Sequence, residues 1–589
     1  MPAALLLAFR PTGLGPAVGA AFETVAAAFP ERVRAMRRDD LDEDRLLLRV
    51  WSHDAGVGDG IERAPATGGW AAVLGNPSSA ALAGVDARAV PRRVLELGAG
   101  ALDALSPPFA LALRERAGGP VHVAVDRCGI QHLYVREGGD GLVWLSSSLL
   151  ALMALGGTVD EDAVAEWLGA GHFVSERTIV REVRKVGAGT RLRLDADGCT
   201  TESRWRAGAP DGATDAAYRD TLLAAIRDRH HEPLTVAELT GGLDSRLVLA
   251  GRIAAGLPAT SWTIGDPRSA ELRTVARLQR IAGFDHIAAT MDPARPPGPA
   301  DLVREMHRLS DGEVNALEYA PLLHAFGQVA GRWHVSLSGA GGETGRGYYY
   351  AALGGDGVDL DTLTHKLASA TGAAVATLAR PDRLAPLRGA LEELLTSSGL
   401  AHPANRLEEV YLRGRMQRFA GRNTSTTGYF FRQALPFFDN AVVAASLGLD
   451  PSRKAQGAVM RDAVAAWAPA LAAVPLDSGM SVAARSWAHP VTQARWAAAM
   501  GRKAAKRYGG APGRRIAGRP PVPWDAVRAD GALQDLVRDT LLAPDRRTDG
   551  LLDRAAVNRL VERGLGGQDL YALGLVLTLE LTLQRLGPS

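Results

Sequence analysis

Thr240, Gly241, Gly242, Asp244 and Ser245 stand together between two apolar runs, in the stretch ELTGGLDSRLVLA from Glu238 to Ala250. Adjacent glycines let a backbone approach an anion closely, and the amides that open a following helix point towards it. Thr240 and Ser245 add hydroxyl donors, and Asp244 can hold a magnesium ion that bridges phosphates. With Leu239 leading into it, the stretch reads as a seat for the phosphates of a nucleotide. The alternative is a plain glycine-rich junction between a strand and a helix. The commoner nucleotide loop is excluded, because it needs Gly-Lys-Ser/Thr and the chain has no Gly-Lys pair.

Such a seat requires a parallel sheet, whose ligands bind beyond the carboxyl ends of the strands. PLTVAEL, ATSWTIG, DHIAAT and WHVSLSG are strand-like, and longer helical patterns separate them. This alternation predicts a doubly wound α/β sheet, with Leu247, Val248 and Ile253 opening the helical face after the glycines. From about Ala351 the pattern becomes mainly helical and ends in an apolar helix over Asp569–Leu586. The earlier part of the chain differs. VHVAVDR, HLYVRE and GLVWLSSS read as strands joined by glycine turns, and TRLRLDADG as a strand entering a hairpin. WRAGAPDGATD, from Trp205, has the composition of a linker, so two domains are expected, 1–205 and 206–589.

Bulk properties narrow the function. The chain has 589 residues, too many for one ordinary core, with 47% hydrophobic and 22% charged residues, as expected of a folded soluble protein. A formal net charge of +2 gives no argument for nucleic acid. Cys128 and Cys199 are the only cysteines, which excludes a disulfide framework and a four-thiolate zinc site and fits a reducing compartment. MPAALLLAFRPTG has no basic residue before its apolar run and reads as a first strand. No run reaches membrane-spanning length, so a cytoplasmic protein with no membrane partner is expected. His230, His231 and His286 lack zinc spacing. RVLELGAGALDAL, from Arg93, suggests a methyltransferase or dinucleotide turn, but Asp103 stands where the third glycine belongs. The basic stretch GRKAAKRYGGAPGRRIAGRP, from Gly501, reads as a solvated loop or a grip for an acidic peptide or phosphate.

ELTGGLDSR resembles the pyrophosphate loop of the asparagine synthetase family, Ser-Gly-Gly-x-Asp-Ser, with Thr240 keeping the hydroxyl of the first serine. Further segments follow in family order. VDRCGIQHLYV with WLSSS resembles a hairpin of the glutaminase-type domain, and FVSERTIVREVRKVGAGTRLRLD the segment that closes it. SWTIGD resembles the strand that meets adenosine, Asp311-Gly312-Glu313 the Asp-Glu-Pro turn, SLSGAGGETGRGYYY the second signature, and LPFFDNAVV the Pro-Phe-Leu-Asp segment. The resemblance spans about residue 95 to the end. It implies an N-terminal Ntn-hydrolase-like sandwich (α+β) and a C-terminal α/β ATP-pyrophosphatase domain with a helical C-terminal part. It also implies ATP and Mg2+ as cofactors. Asp244 and Glu343 would be the metal ligands, Thr263, Ile264 and Gly265 the adenosine contacts, and Ser338 and Gly339 the lining of the same mouth.

The chain departs from the family pattern in both halves. It starts Met1-Pro2-Ala3, where glutamine-using members start Met-Cys, and Cys128 reads as a buried small apolar residue, so no glutaminase activity is expected. Ala340 stands at an acidic position of the second signature, which removes a carboxylate able to assist amine deprotonation. Gly457 stands where the family has a catalytic lysine, while Arg461 is kept; Lys454 is the nearest substitute. Glu313, Glu318 and Tyr348 are candidates to replace the missing acid. The expected activity is an ATP-dependent, AMP-forming amide ligase that adenylates a carboxylate and transfers it to an amine. Its substrate would be a small molecule or peptide carrying both groups, and a peptide or a second copy of the chain is the kind of partner expected. The alternatives are an intramolecular cyclase, like the family's β-lactam synthetases and lasso-peptide cyclases, and an ATP-binding scaffold that has lost synthesis.

Overall fold

The computed structural model describes residues 2–586, leaving out 54–59, 205–211, 230–234, 267–268, 291–294, 355–356, 377, 379–383, 478–479, 483–489, 492, 495–496, 499–500 and 502–523. Most of the linker-like stretch, His230 and His231, and nearly all of the basic stretch from Gly501 therefore lie outside the described residues.

The first half is built from strands β1 (Pro2–Phe9), β2 (Arg37–Glu43), β3 (Leu46–Ser52), β4 (Glu62–Ala64), β5 (Gly69–Gly75), β6 (Phe109–Arg114), β7 (Val121–Val125), β8 (Tyr134–Glu137), β9 (Val143–Ser146), β10 (Arg184–Lys185), β11 (Thr190–Asp195) and β12 (Gly198–Arg204). They form two six-stranded sheets, ordered β10-β8-β9-β1-β3-β2 and β12-β11-β7-β6-β5-β4. Strand alternation decides which residues meet. Leu5 and Leu7 of β1 pack with Ala72, Leu74, Val123, Leu192 and Leu194 between the sheets. Leu6 and Ala8 face the other way, onto Val18, Phe22 and Val25 of the helix Pro16–Ala27. The outer face of the second sheet is covered by the helix Val90–Leu97, through Val90 and Val94. Here the glycines of RVLELGAG follow a helix and open a 3-10 turn, not a strand-to-helix nucleotide turn.

The second half holds one parallel sheet of β13 (Thr235–Glu238), β14 (Ser261–Ile264), β15 (His286–Ala289), β16 (Val335–Leu337) and β17 (Arg432–Ala434), in the order β15-β14-β13-β16-β17. All four pairings are parallel. The sequence shows the first four strands. The fifth, three residues long, comes from the region read as helical and is too short for alternation to appear.

The two halves share a core. One apolar cluster contains Leu6 and Trp167 from the first half with Met306, Leu309 and Leu575 from the second. The helix Leu570–Leu583 is apolar all round because it is buried all round. Its Glu580 is held by the amides of Arg547 and Thr548, each at 2.9 Å. Among the described residues, no helix is long and apolar enough to cross a membrane.

Candidate nucleotide and metal site

Strand β13 ends at Glu238, and the helix Leu243–Ala254 begins five residues later. The turn between them is closed from within. The Thr240 amide donates to Ser245 Oγ at 2.9 Å, the two hydroxyls meet at 2.9 Å, and the Gly242 amide donates to Thr240 Oγ1 at 3.1 Å. Thr240 and Ser245 thus shape the loop, a structural use of hydroxyls read from sequence as donors to a ligand. The helix has no side-chain cap at Gly242, so its first amides remain available to an anion. Thr263 and Ile264 end the neighbouring strand β14 and Gly265 follows it; the Thr263 hydroxyl donates to the Leu239 carbonyl. Buried Arg246 ties the carbonyls of Gly241 (3.3 Å), Leu471 (3.2 Å) and Pro475 (3.2 Å) together, which fixes the loop against the chain that follows the helix Ala458–Trp467.

The second signature leaves the end of β16 and runs across this loop. Ser338 is buried, and its amide donates to the Ala434 carbonyl of β17 at 2.9 Å. A methyl group on Gly339 would lie 2.6 Å from the Ser245 amide nitrogen, and one on Gly342 2.7 Å from Asp244 Cβ. Only glycine permits this approach, and it brings the carboxylates of Asp244 and Glu343 to a common point. Arg346 occupies that point. Its Nη2 lies 2.7 Å from Asp244 Oδ2 and 3.1 Å from Glu343 Oε1. Tyr411 donates its phenolic proton to the other Glu343 oxygen at 2.5 Å. Burial pushes the Asp244 carboxyl up to about 7, although Arg346 pulls it down. Asp244 Oδ1 is buried with no hydrogen-bond partner among the described residues. A pair of hard oxygen donors, one of them orphaned, around a side-chain cation fits a magnesium ion that takes its remaining ligands from phosphates.

Lys454 is buried rather than solvated. Its Nζ lies 3.3 Å from Glu408 Oε1, and the two residues are 0% and 1% exposed. Burial lowers the lysine and raises the carboxyl, each against the pull of its partner. The Tyr350 phenol, raised by burial and then by the charge of Glu408, stands beside the pair. Gly457 has φ +68°, and a methyl group there would lie 3.0 Å from Leu243 and 3.6 Å from Arg346. The turn after Lys454 therefore rests on the start of the helix Leu243–Ala254, and Gly457 serves that contact.

A family model described as Asparagine synthase matches residues 217–510, and one described as Glutamine amidotransferase domain matches 81–205. The chain belongs to the asparagine synthetase family. No curated protein matches it. Among solved structures, the glutamine phosphoribosylpyrophosphate amidotransferase from B. subtilis complexed with ADP and GMP aligns at 11% identity, over 45% of this chain and 66% of that one, with a TM-score of 0.24. The allosteric regulatory enzyme of purine biosynthesis aligns at 12% identity, over 51% and 77%, with a TM-score of 0.25.

Against the family pattern, the structure separates the remaining candidates. Glu313 is not at the mouth. It is 1% exposed and sits between the halves, accepting from Arg418 Nη2 and from the Tyr134 hydroxyl, each at 2.8 Å. Burial alone would raise its carboxyl, but Arg418 and then His132 hold it down to about 2, so it is a fixed anion and a poor proton acceptor. Glu318 is half-buried, and burial alone pushes it up to about 7. Tyr348 lies against the Tyr411 ring, with centroids 5.2 Å apart, one aromatic layer from Glu343. Arg461 is half-buried on the helix Ala458–Trp467 and forms no ion pair with either loop carboxylate. Cys128 is buried, and burial raises its thiol well above the usual range. Sequence reading missed Arg346, Glu408, Tyr350 and Tyr411. Arg346 carried a signal, a cation three residues after Glu343. Tyr350 closes the second signature itself, seven residues after Glu343, whereas Glu408 and Tyr411 are brought in from a distant segment and carried none.

Proposed function

We propose that the protein is an ATP-dependent, AMP-forming amide ligase that adenylates a substrate carboxylate and transfers it to an amine, without glutaminase activity. One observation supports this reading above the rest: Asp244 and Glu343 converge on a single cation where an uncapped helix begins. Asp244 and Glu343 would hold the magnesium ion, which supplies charge neutralisation as pyrophosphate departs. The opening amides of the helix Leu243–Ala254 orient the phosphates, and Thr240 and Ser245 keep the loop in shape. Ser338 and Gly339 bring the second loop into contact. Lys454 carries positive charge towards the reacting carboxylate, and Glu408 takes a proton from the attacking amine.

Both cysteines support the absence of glutamine hydrolysis. Burial raises the Cys128 thiol strongly and the Cys199 thiol to about 11, the opposite of an activated nucleophile. A substrate that brings its own amine needs no ammonia source, which favours ring closure within one molecule as the form of the reaction. Exchange of labelled pyrophosphate into ATP across a panel of carboxylates, with and without amines, tests the proposal. Exchange should depend on a carboxylate and on magnesium, and Asp244→Ala should abolish it. ATP binding without exchange on any carboxylate would select the scaffold reading.

A further inference from the structure

One cation near the mouth has no ion-pair partner among the described residues. Arg415 lies on the π-helix Val410–Ala420, four residues beyond Tyr411, and is half-buried. It forms no hydrogen bond or ion pair with any described residue. Its guanidinium carbon lies 5.3 Å from the Tyr348 ring centroid and 4.8 Å from that of Phe419. Lys366 adds a second cation, with Nζ 5.2 Å from the Tyr348 centroid and 5.3 Å from that of Tyr349; it donates to the Tyr348 carbonyl at 2.6 Å. Tyr319 and His172 close the far side against Phe419, with centroids 5.7 and 5.8 Å away. The nearby acid, Glu318, forms no ion pair with Arg415. Among the described residues, the recess therefore holds two positive charges between aromatic walls and no partner carboxylate.

A guanidinium set against ring faces keeps the edges that carry its N–H groups free, and those edges match a carboxylate with two parallel hydrogen bonds. With no carboxylate paired to it, the half-buried guanidinium is open to an anion brought from outside. We propose that Arg415, with Lys366 beside it, binds a carboxylate of the substrate other than the one that is adenylated. The two carboxylates must differ because a group clamped by a guanidinium is a poor nucleophile. The Tyr411 ring also lies between this recess and Glu343, the candidate metal ligand. The substrate class is thus a molecule, or an acidic peptide, that carries a second carboxylate next to a flat or apolar portion. The word "substrate" rests on the ligase reading; the anion site itself does not.

The test uses the full-length protein, alone and loaded with magnesium and α,β-methylene-ATP. Binding of 3-phenylpropionate is compared with that of its neutral amide, for the wild type, Arg415→Met and Arg415→Lys. The wild type should prefer the acid about tenfold or more, the worth of a charge-assisted pair. Arg415→Met should lose the preference and Arg415→Lys should keep part of it, with binding of the nucleotide analogue unchanged in both. Equal binding of acid and amide, a preference that survives in Arg415→Met, or displacement of the analogue by the acid would overturn the proposal. Failure of the analogue to bind the wild type would instead strike the nucleotide reading, while the acid–amide comparison without analogue still decides the anion site.

Discussion

Asp244, Glu343 and Arg346 form one electrostatic unit, and its behaviour follows from which cation sits between the acids. With Arg346 in place, the two carboxylates tolerate each other at close range. Arg346→Met removes that charge and leaves room for a divalent ion. Free Mn2+ should bind this variant about tenfold more tightly than the wild type in the absence of nucleotide, read by the paramagnetic signal of the unbound ion. Unchanged Mn2+ affinity would show that Arg346 and the metal do not compete for one position. Glu318 gives a separate, pH-dependent outcome. Its folded-state value of about 7 lies above the ordinary 4.5, so the folded form binds the extra proton across that window. Its contribution is full below the lower value and is lost as pH rises through the upper one. Melting curves of wild type and Glu318→Gln should therefore diverge with rising pH, the variant gaining about 1–3 kcal/mol by the alkaline end. At this scale the sequence was informative where a residue stands inside a recognisable signature. Asp244 and Glu343 were legible within their signatures, whereas Glu408 and Tyr411 depend on a helix that folds back from beyond residue 400.

Two elements bring the site together, a glycine crossing and a widened helix. The crossing works because Gly339 offers no side chain to the Asp244–Ser245 backbone and Gly342 none to the Asp244 side chain. Gly339→Ala places a methyl group against the Ser245 amide and should cost about 1–3 kcal/mol of stability. It should also weaken binding of magnesium and ATP analogue more than an alanine at exposed Gly327 does, measured by calorimetry. Equal affinities would mean that the two loops need not touch. The π-helix Val410–Ala420 sends Tyr411 to Glu343, Arg415 to the aromatic recess and Arg418 to Glu313. Its stretch VYLRGRMQRFA reads as an ordinary basic helix, since the wider turn leaves no mark in residue type. The parallel strands were legible because each is an apolar run before a turn. Strand β17 was not, because three residues carry no period.

The whole molecule is held by charge as well as by a shared apolar core. Glu313 with Arg418 and Tyr134, and Asp311 with Arg422 and Ser148, join the halves through groups that are almost fully buried. Glu313→Gln leaves Arg418 uncompensated and should cost about 3–5 kcal/mol. Both halves should melt earlier and together, followed by near-ultraviolet circular dichroism and by hydrogen exchange in each half. An unfolding transition confined to one half would contradict a common core. The strands of the first half and the parallel sheet of the second were legible from strand patterns, and the resemblance implied the sandwich, but the shared core was not legible, because Glu313 and Asp311 read equally well as surface acids. Everything proposed for the site rests on phosphates lying against the opening turn of the helix Leu243–Ala254. A crystal structure with α,β-methylene-ATP and Mn2+ tests this most directly. Anomalous density for the metal should lie between Asp244 and Glu343, with Arg346 turned away and the pyrophosphate mimic on the amides after Gly242. Nucleotide bound elsewhere, or metal held without either carboxylate, would contradict the account.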